Sequence, residues 1–294
     1  MDVNNARLCA AVRMVERGPA RRARGAALAE FMGGADVDPT LIEPIDRQQA
    51  RAKLLHMESL GTQIGKTPEA SRKLFEAVIG KDDSLPRRFL ASGDAAARAV
   101  GRVIVHGGAL YGTGSLIGSR VMITNNHVLP DTDTADGSAI ELGYYEPVPG
   151  QAAFEGQSFP LDPDLFFYTS EDLDFTLCGV QSEIDGRSTA NFGALDLFWE
   201  SGKALVGERV NIVHHAGGRP QVLSIRENAM VDIFDDWLHY LADTEPGSSG
   251  AAVFNDEWQM IALHHASVPT GDGSVMNEGV RVSSIVAHLV GAMG

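Results

Sequence analysis

Cysteine is scarce in this sequence of 294 residues, which contains only Cys9 and Cys178. Two cysteines allow one disulfide at most, whereas secreted proteases often carry several. Cys178 lies in the apolar run LDFTLCGV, where a free thiol behaves as a small buried hydrophobe. No histidines stand at short spacing from the two thiols, which argues against a four-ligand structural zinc site. We therefore expect neither a metal nor another cofactor.

Long apolar runs are also missing. Arginines interrupt every apolar stretch of the N-terminal segment MDVNNARLCAAVRMVERGPARRARG, which therefore lacks the basic start and apolar stretch of a secretory signal. No window approaches the roughly 20 apolar residues that a membrane span needs. The sequence therefore predicts a cytoplasmic protein without a membrane partner.

Positive charge is scarce in the last two thirds of the chain. Residues 1–95 carry fifteen Lys and Arg against thirteen Asp and Glu, whereas residues 96–294 carry nine against twenty-six. Such an asymmetry is typical of a domain boundary, and the acidic part lacks the dense positive charge that phosphate contacts require. Its charge could attract basic partners, or it could simply keep the domain soluble. We expect two domains, 1–95 and 96–294, and no nucleic-acid partner.

The first domain is predicted to be all α. Its segments are rich in Ala, Arg, Leu and Glu, which are good helix formers, and glycines and prolines separate them. Helices are predicted over residues 5–33, over 45–60, from Pro68 onward, and from Pro86 to about Ala97. We expect this added domain to act as a regulatory, pro-segment or adaptor-like unit that could bind a regulatory partner.

The character of the chain changes near Ala99. Short runs rich in Val, Ile, Leu and Phe follow, and Gly, Pro, Asn and Asp separate them. Many short strands with turn signals between them predict an antiparallel barrel or sandwich. Strands do not alternate regularly with long helices after this point, which argues against a parallel α/β sheet. The fold class is therefore mostly β, with a short closing helix predicted at SSIVAHLV.

Ser249 stands among small residues in TEPGSSGA, with Gly247 two residues before it and Gly250 directly after it. A tight turn of this kind exposes the hydroxyl and points backbone N–H groups at one place. The amides of Gly247 and Ser249 could form an oxyanion hole, in which each donor is worth about 3 kcal/mol to the transition state. An ordinary Gly/Ser loop is the competing interpretation. The nucleophile elbow of α/β-hydrolases is excluded, because Ala251 stands where that motif needs glycine.

Two further polar residues adjoin apolar strands. His127 follows the run VMITNN, and a histidine at a strand end beside polar neighbours can be oriented as a general base. Asp174 precedes the run FTL, where its carboxylate could fix an imidazole; Asp172 is a spare candidate. Each residue alone has an ordinary structural explanation. Together they give the order His, Asp, Ser within one β-rich segment.

Three segments carry a resemblance to a known family. GTGSLIGSRVMITNNHVL, DLDFTL and EPGSSGAAVFND…WQMIALHH resemble the catalytic blocks of bacterial chymotrypsin/trypsin-like serine peptidases, nearest to the glutamyl endopeptidase branch. The resemblance covers roughly residues 99–290. It implies a chymotrypsin-like double antiparallel β-barrel, with His127, Asp174 and Ser249 as a catalytic triad and Gly247 as an oxyanion donor.

The activity that the resemblance implies is that of a serine endopeptidase, a hydrolase that acts on a protein substrate through an acyl-enzyme. A catalytically silent, protease-like binding or scaffold module is the alternative. Ser248 stands where zymogen-activated animal peptidases carry an aspartate, so their activation by a new N-terminus is not expected here. The missing disulfides of the secreted members fit an intracellular enzyme.

The resemblance leaves the preference for the P1 side chain open. Asp243 and Thr244 stand six and five residues before Ser249, where family members line the primary pocket. Asp243 matches the aspartate with which trypsin-like enzymes bind Arg or Lys, whereas Thr244 and His264 match the glutamyl endopeptidases. A carboxylate in the pocket would repel a Glu side chain, unless Asp243 serves only to hold His264. Gly279 is expected to keep the pocket mouth open.

Overall fold

The computed structural model describes residues 2–79, 84–225, 228–270 and 275–293. Helices come first in the chain, and the side chain of Asp2 caps the first of them by accepting a hydrogen bond from the backbone N–H of Asn5. The predicted helical N-terminal region is confirmed, and the second predicted helix is split in two. The bounds are α1 (Val3–Met32), α2 (Ile45–Leu54), α3 (Glu58–Gly61), α4 (Pro68–Ile79) and α5 (Arg88–Arg98).

The strands of the first sheet are antiparallel and follow the order β5-β4-β1-β2-β3-β7-β6. Their bounds are β1 (Val100–Val105), β2 (Leu110–Gly118), β3 (Val121–Thr124), β4 (Ala139–Leu142), β5 (Gln157–Pro160), β6 (Phe167–Ser170) and β7 (Phe175–Gly179), with the short helix α6 (Thr132–Ala135) between β3 and β4. A small hairpin, β8 (Glu183–Ile184) and β9 (Arg187–Ser188), comes next.

The strands of the second sheet are also antiparallel, in the order β11-β10-β14-β15-β16-β13-β12. Their bounds are β10 (Asn211–His214), β11 (Val222–Ser224), β12 (Ala229–Phe234), β13 (Trp237–Leu241), β14 (Ala252–Phe254), β15 (Met260–Pro269) and β16 (Val275–Arg281). The predicted closing helix is present as α7 (Val282–Met293).

Each sheet curls until a single bridge joins its two sides. Leu161 pairs with Val180, which connects the end of β5 to the end of β7. Arg209 pairs with Ala229, which connects the segment before β10 to the start of β12. Six strands thus close on themselves in each half, which removes most free sheet edges. The expected fold, a double antiparallel β-barrel preceded by helices, is confirmed.

Apolar side chains pack inside each barrel and between the two. The first interior contains Val103, Leu116, Met122, Ile140 and Phe159. The second contains Ile212, Met230, Leu238, Val253 and Ile261. The layer between the barrels contains Ile123, Phe175, Val213, Leu263 and Val280. The cleft above this layer therefore lies between two rigid walls.

The N-terminal helices pack around a core of their own and also contact the second barrel through apolar packing and ion pairs. Phe31 and Phe75 of that core lie with Leu205, which comes from the segment before β10. Arg17 and Arg24 of α1 both form ion pairs with the buried carboxylate of Asp232. The boundary predicted at residues 95 and 96 falls inside α5 and stays a prediction. None of the described helices is long and apolar enough to cross a membrane.

Candidate active site

The structure brings the three predicted catalytic residues together at the cleft. His127 lies three residues after the end of β3, and Asp174 lies directly before β7. Because β3 and β7 are hydrogen-bonded neighbours, these two residues come side by side. Ser249 lies in the turn before β14, on the second barrel, whereas the spare candidate Asp172 is exposed to solvent. One barrel therefore supplies the acid and the base, and the other supplies the hydroxyl.

Asp174 holds His127 through both of its carboxylate oxygens. Oδ1 accepts the backbone N–H of His127 at 2.9 Å, and Oδ2 lies 2.7 Å from Nδ1 of the ring. Burial alone would raise the pKa of Asp174, but hydrogen bonds from His127 and His265 outweigh it and lower the pKa to about 2. The carboxylate is thus ionised at neutral pH and can only accept, so Nδ1 of His127 carries a proton.

The other ring nitrogen of His127 is available for chemistry. Nε2 is buried and has no hydrogen-bond partner among the described residues. His127 and Ser249 line the same cavity, which has a volume of about 60 Å³. The hydrogen bond between the base and the hydroxyl is not formed, and such bonds often tighten only when substrate binds. This arrangement suits a general base, because Nε2 of His127 is free to accept a proton.

The turn around Ser249 contains two glycines in left-handed backbone conformations. Gly247 and Gly250 have φ values of +97° and +84°, a region that L side chains rarely adopt. A Cβ atom on Gly247 would also lie 2.7 Å from the carbonyl oxygen of His215. The amides of Gly247 and Ser249 donate to no other described residue. Both donors are therefore available to a developing oxyanion.

Both barrels anchor this turn. Thr113 of β2 donates its hydroxyl to the carbonyl oxygen of Gly247 at 2.8 Å, and its N–H donates to the carbonyl oxygen of Ser249 at 2.8 Å. From the other side, the buried hydroxyl of Ser248 lies 2.7 Å from Nδ1 of His214. Fixing the turn from two sides keeps its amide donors preorganised.

His264 presents a hydrogen-bond donor to the cavity. Its Nδ1 lies 2.7 Å from the hydroxyl of Tyr240, and both side chains are buried. Burial lowers the pKa of His264 to about 3 and raises the pKa of Tyr240 well above its usual value, so both groups are neutral. The phenol donates its proton to Nδ1, which leaves the ring proton on Nε2, 3.5 Å from the hydroxyl of Ser267.

Thr244 and Ser267 complete a polar wall beside His264. Thr244 Oγ1 and Ser267 Oγ both donate to Oδ1 of Asn277, at 2.6 and 2.7 Å. Thr244, His264 and Ser267 line the cavity that contains Ser249. Because both hydroxyl protons point to Asn277, the Nε2–H of His264 is the donor on this wall.

Asp243 and Gly279 are not among the described residues that line the cavity beside Ser249. Asp243 is exposed and lines an adjoining groove of about 640 Å³, which shares Thr244 and Glu245 with that cavity. Gly279 lies inside the second sheet, between Leu238 and His264 of the neighbouring strands. A Cβ atom on Gly279 would lie 3.0 Å from the carbonyl oxygen of Leu263. This close approach gives a physical reason for glycine at this position, and the predicted place at the pocket mouth stays a prediction.

Sequence reasoning did not assign His265, which joins the site from β15. Its Nδ1 lies 2.6 Å from Oδ2 of Asp174, the same oxygen that His127 contacts. The register of β15 against β16 shifts between His264 and Ala266, so the alternation of a regular strand does not hold at His265. Both histidines line the cavity beside Ser249, and His265 also reaches the carboxylate of Asp174.

His127, Asp174 and His265 form the one cluster, among the described residues, whose atoms could surround a metal ion. Two ligands of a tetrahedral zinc ion at about 2.1 Å are roughly 3.4 Å apart. The two Nδ1 atoms lie 2.7 and 2.6 Å from Oδ2, which is the length of a hydrogen bond. The three side chains are joined by hydrogen bonds, and their spacing is too short for two ligands of one metal ion.

Comparisons with known proteins agree with this architecture. The family model described as the trypsin-like peptidase domain matches residues 112–263. The uncharacterized protein y4fB from Sinorhizobium fredii is 36% identical over 260 residues, which cover 74% of this chain; the chain spans 39% of the length of that relative. The active form of the Rv3671c protease from M. tuberculosis superposes with a TM-score of 0.52 at 14% identity, covering 72% of this chain and 89% of that one. At that identity the likeness concerns the fold alone.

Proposed function

Because the chain belongs to the family of trypsin-like peptidase domains, we propose that it is a serine endopeptidase with His127, Asp174 and Ser249 as its catalytic triad. One observation carries the proposal. The buried carboxylate of Asp174 fixes Nδ1 of His127, and the free Nε2 of that ring belongs to a cavity that Ser249 also lines. This is the arrangement of orienting acid, base and hydroxyl that acyl transfer needs.

In the proposed reaction, Oγ of Ser249 attacks the carbonyl carbon of the scissile peptide bond while Nε2 of His127 takes its proton. Asp174 stabilises the imidazolium that forms, and the amides of Gly247 and Ser249 bind the oxyanion. The imidazolium then gives its proton to the leaving amine, which breaks the C–N bond and leaves an acyl-enzyme. Water repeats the sequence, with His127 again as base, and releases the acid product.

We propose that the P1 pocket favours an acidic side chain, as the resemblance to glutamyl endopeptidases implies. The neutral ring of His264 carries its proton on Nε2, and a substrate carboxylate could accept a hydrogen bond from it. A basic preference would depend on Asp243, which is not among the described residues that line the cavity beside Ser249. Peptides that differ only in Glu, Gln or Lys at P1 separate the two preferences.

The test of the triad uses a fluorophosphonate probe and a casein-like substrate on the full chain. We expect labelling of the native protein, loss of labelling and cleavage in Ser249→Ala, and normal behaviour of Ser119→Ala, whose side chain is exposed. Labelling that persists in Ser249→Ala would overturn the assignment. If the native protein reacts with no serine-directed probe and cleaves nothing, a protease-like binding module becomes the better proposal.

For residues 1–95 we propose a permanent regulatory part of the molecule instead of a pro-segment that is cut away. Arg13, Arg17 and Arg24 are the ion-pair partners of the fully buried carboxylates of Glu278 and Asp232. Removing the helix would leave these carboxylates without their cations, at a cost of several kcal/mol. A chain that starts at residue 96 is expected to be less stable and less active. Equal activity on the same targets would contradict this role.

A further inference from the structure

Two histidines share one oxygen of the catalytic carboxylate. Oδ2 of Asp174 lies 2.7 Å from Nδ1 of His127 and 2.6 Å from Nδ1 of His265. All three side chains are buried. Because an ionised carboxylate only accepts hydrogen bonds, both Nδ1 atoms carry protons. The negative charge that supports His127 is therefore divided between two donors.

The far side of the His265 ring faces groups that belong to helix α1 and strand β16. Its Nε2 lies 3.4 Å from Nη2 of Arg13, 3.2 Å from the carbonyl oxygen of Ala6 and 3.6 Å from Oε1 of Glu278. With Nδ1 protonated, a neutral ring has a lone pair on Nε2, which needs a donor. Arg13 supplies that donor, whereas the other two groups only accept.

Arg13 is held firmly in the place where it meets His265. Its Nε and Nη2 donate to both carboxylate oxygens of the buried Glu278, at 3.0 and 2.6 Å. Its guanidinium carbon lies 3.8 Å from the centre of the Trp237 ring, which also packs against His265 at 4.9 Å between ring centres. A paired and stacked guanidinium has little freedom, so its remaining N–H bonds have a fixed direction.

We propose that His265 is a positioning residue for Asp174, and that Arg13 of α1 keeps His265 neutral by donating to its Nε2. The N-terminal helix is then a working part of the peptidase site and sets how strongly Asp174 supports the imidazolium of His127. This inference rests on the proposed function only for its catalytic consequence, because the hydrogen-bond arrangement can be measured without turnover.

The neighbours of His265 that carry or can take up charge come from several elements. Arg13 lies on α1, Asp174 and His127 come from the first barrel, and Glu278 lies on β16. Two more groups stand behind them: His239 of β13 lies 3.0 Å from Glu278, and its Nδ1 lies 3.1 Å from Arg21 of α1. His264 precedes His265 on β15. The balance of these charges decides whether Nε2 of His265 accepts a hydrogen bond or takes up a proton.

The test follows the His127 imidazole by NMR titration in full-length protein with isotope-labelled histidine. In His265→Leu, Asp174 loses a donor, so its charge supports the imidazolium of His127 more strongly. We expect the midpoint of the His127 titration to rise by roughly one pH unit. In His265→Asn, the amide can still donate to Asp174, and we expect the midpoint to return close to that of the native protein.

Arg13→Gln is expected to move the same midpoint in the opposite direction. Gln is shorter than Arg, so its amide does not reach Nε2 of His265, which then faces two acceptors. The ring takes up a proton and becomes a cation beside Asp174. That cation competes with the imidazolium of His127, and the midpoint falls by roughly one pH unit. Arg22→Gln, an exposed change on the same helix, is the matched control and leaves the midpoint unchanged.

Unchanged midpoints in folded His265→Leu and Arg13→Gln would overturn the proposal, and so would shifts in the same direction. If His265→Leu does not fold, His265→Asn and Arg13→Gln still test the proposal. A His127 midpoint that stays at the native value in Arg13→Gln contradicts the role given to Arg13. Failure of the native protein to react with the fluorophosphonate probe would contradict the peptidase proposal. The titrations would still report the hydrogen bonds between Asp174, His127 and His265. If the protein is active, the acid limb of kcat/KM shifts with the same signs.

Discussion

The hydroxyl of Tyr240 and Nδ1 of His264 form a hydrogen bond of 2.7 Å in which both partners are buried. A buried tyrosine that stays neutral must place its proton on an acceptor, and Nδ1 is the acceptor that this site offers. The second nitrogen of the ring is thereby made a donor. In the proposed P1 pocket, a substrate side chain would therefore have to supply the acceptor of a hydrogen bond from His264.

We expect Tyr240→Phe to weaken the discrimination between substrates. Without the phenol proton, the ring of His264 can place its own proton on either nitrogen, so the donor that faces the pocket is present only part of the time. We expect kcat/KM for a peptide with Glu at P1 to fall by about tenfold, which is the loss of roughly 1.4 kcal/mol. Fluorophosphonate labelling should change little.

Tyr168→Phe is the control for that experiment. Tyr168 also forms a hydrogen bond with a histidine, but this histidine, His288, is exposed and lies outside the proposed pocket. That variant should keep the native preference. Equal loss for Glu and Lys peptides in Tyr240→Phe would indicate a general packing defect and would contradict the role in P1 recognition.

The buried pair of Arg51 and Glu208 joins α2 to the segment before β10 and predicts a large effect on stability. Burial raises the pKa of Glu208 to about 7, although the Arg51 charge opposes this. Arg51→Met leaves the buried carboxylate without its cation, and we expect a loss of about 3 to 5 kcal/mol in the free energy of unfolding. Urea denaturation at pH 8 measures it.

The double variant Arg51→Met with Glu208→Gln should recover much of that loss, since a neutral amide can still accept the N–H of Leu205 that Glu208 accepts at 2.9 Å. Arg98→Met is the control, because the Arg98–Asp94 pair is exposed. A loss below 1 kcal/mol in the single variant would show that the pair does not fasten the helical region.

Stability is expected to fall as the pH drops below about 6.5, and three buried histidines cause this. Burial lowers the pKa of His214 and His215 to about 4 and that of His264 to about 3. Their unfolded values lie near 6.5, so between that pH and about 4 the unfolded chain binds more protons than the folded one. Each histidine contributes roughly 2 kcal/mol of lost stability between pH 7 and 5.

Glu208 acts in the opposite direction, because its raised pKa means that the folded state takes up a proton first, between about 4.5 and 7. Burial also raises the pKa of Glu43 and Asp256, which act in the same direction as Glu208. The large shifts of the three histidines outweigh these carboxyl groups, so urea midpoints at pH 7, 6 and 5 should decrease steadily. The decrease of the urea midpoint with falling pH should be smaller in His214→Gln. It should be unchanged in His288→Gln, because the side chain of His288 is exposed. A flat profile would contradict the burial of neutral imidazoles.

The two free thiols should react very differently. Cys178 is fully buried, and burial raises its pKa to about 12, whereas Cys9 is partly accessible on α1. In the folded protein we expect a thiol reagent to modify Cys9 alone, and in urea to modify both. Peptide mass spectrometry assigns the site. Rapid modification of native Cys178 would mean that the first barrel opens readily.

The sequence carries local information about the proposed catalytic residues and little about the residues that support them. His127, Asp174 and Ser249 each stand next to an apolar strand with a recognisable turn, so their types and their order along the chain indicate the site. Arg13 and Glu278 are 265 positions apart, and neither stands in a motif. Only the packing of α1 along the second barrel brings them together.

The pocket shows the same limit. The resemblance assigns Thr244 and His264 to the pocket, and both line the cavity beside Ser249. Asp243, next to Thr244, does not line this cavity, whereas Ser267, which no motif indicates, does. A turn rotates adjacent side chains to different sides, and a spacing rule cannot supply that rotation.

The ion pair between Arg13 and Glu278 also limits how early the protein can fold during its synthesis. A ribosome adds about 5 to 20 residues per second, so roughly 10 to 50 s separate the synthesis of these two residues. Helix α1 leaves the ribosome well before strand β16, which carries its ion-pair partner. Asp174 and His265 are both synthesised within that interval, so the carboxylate of Asp174 waits for the hydrogen bond that His265 of the second barrel supplies. The order of synthesis thus delays the assembly of the proposed site until β15 and β16 have emerged.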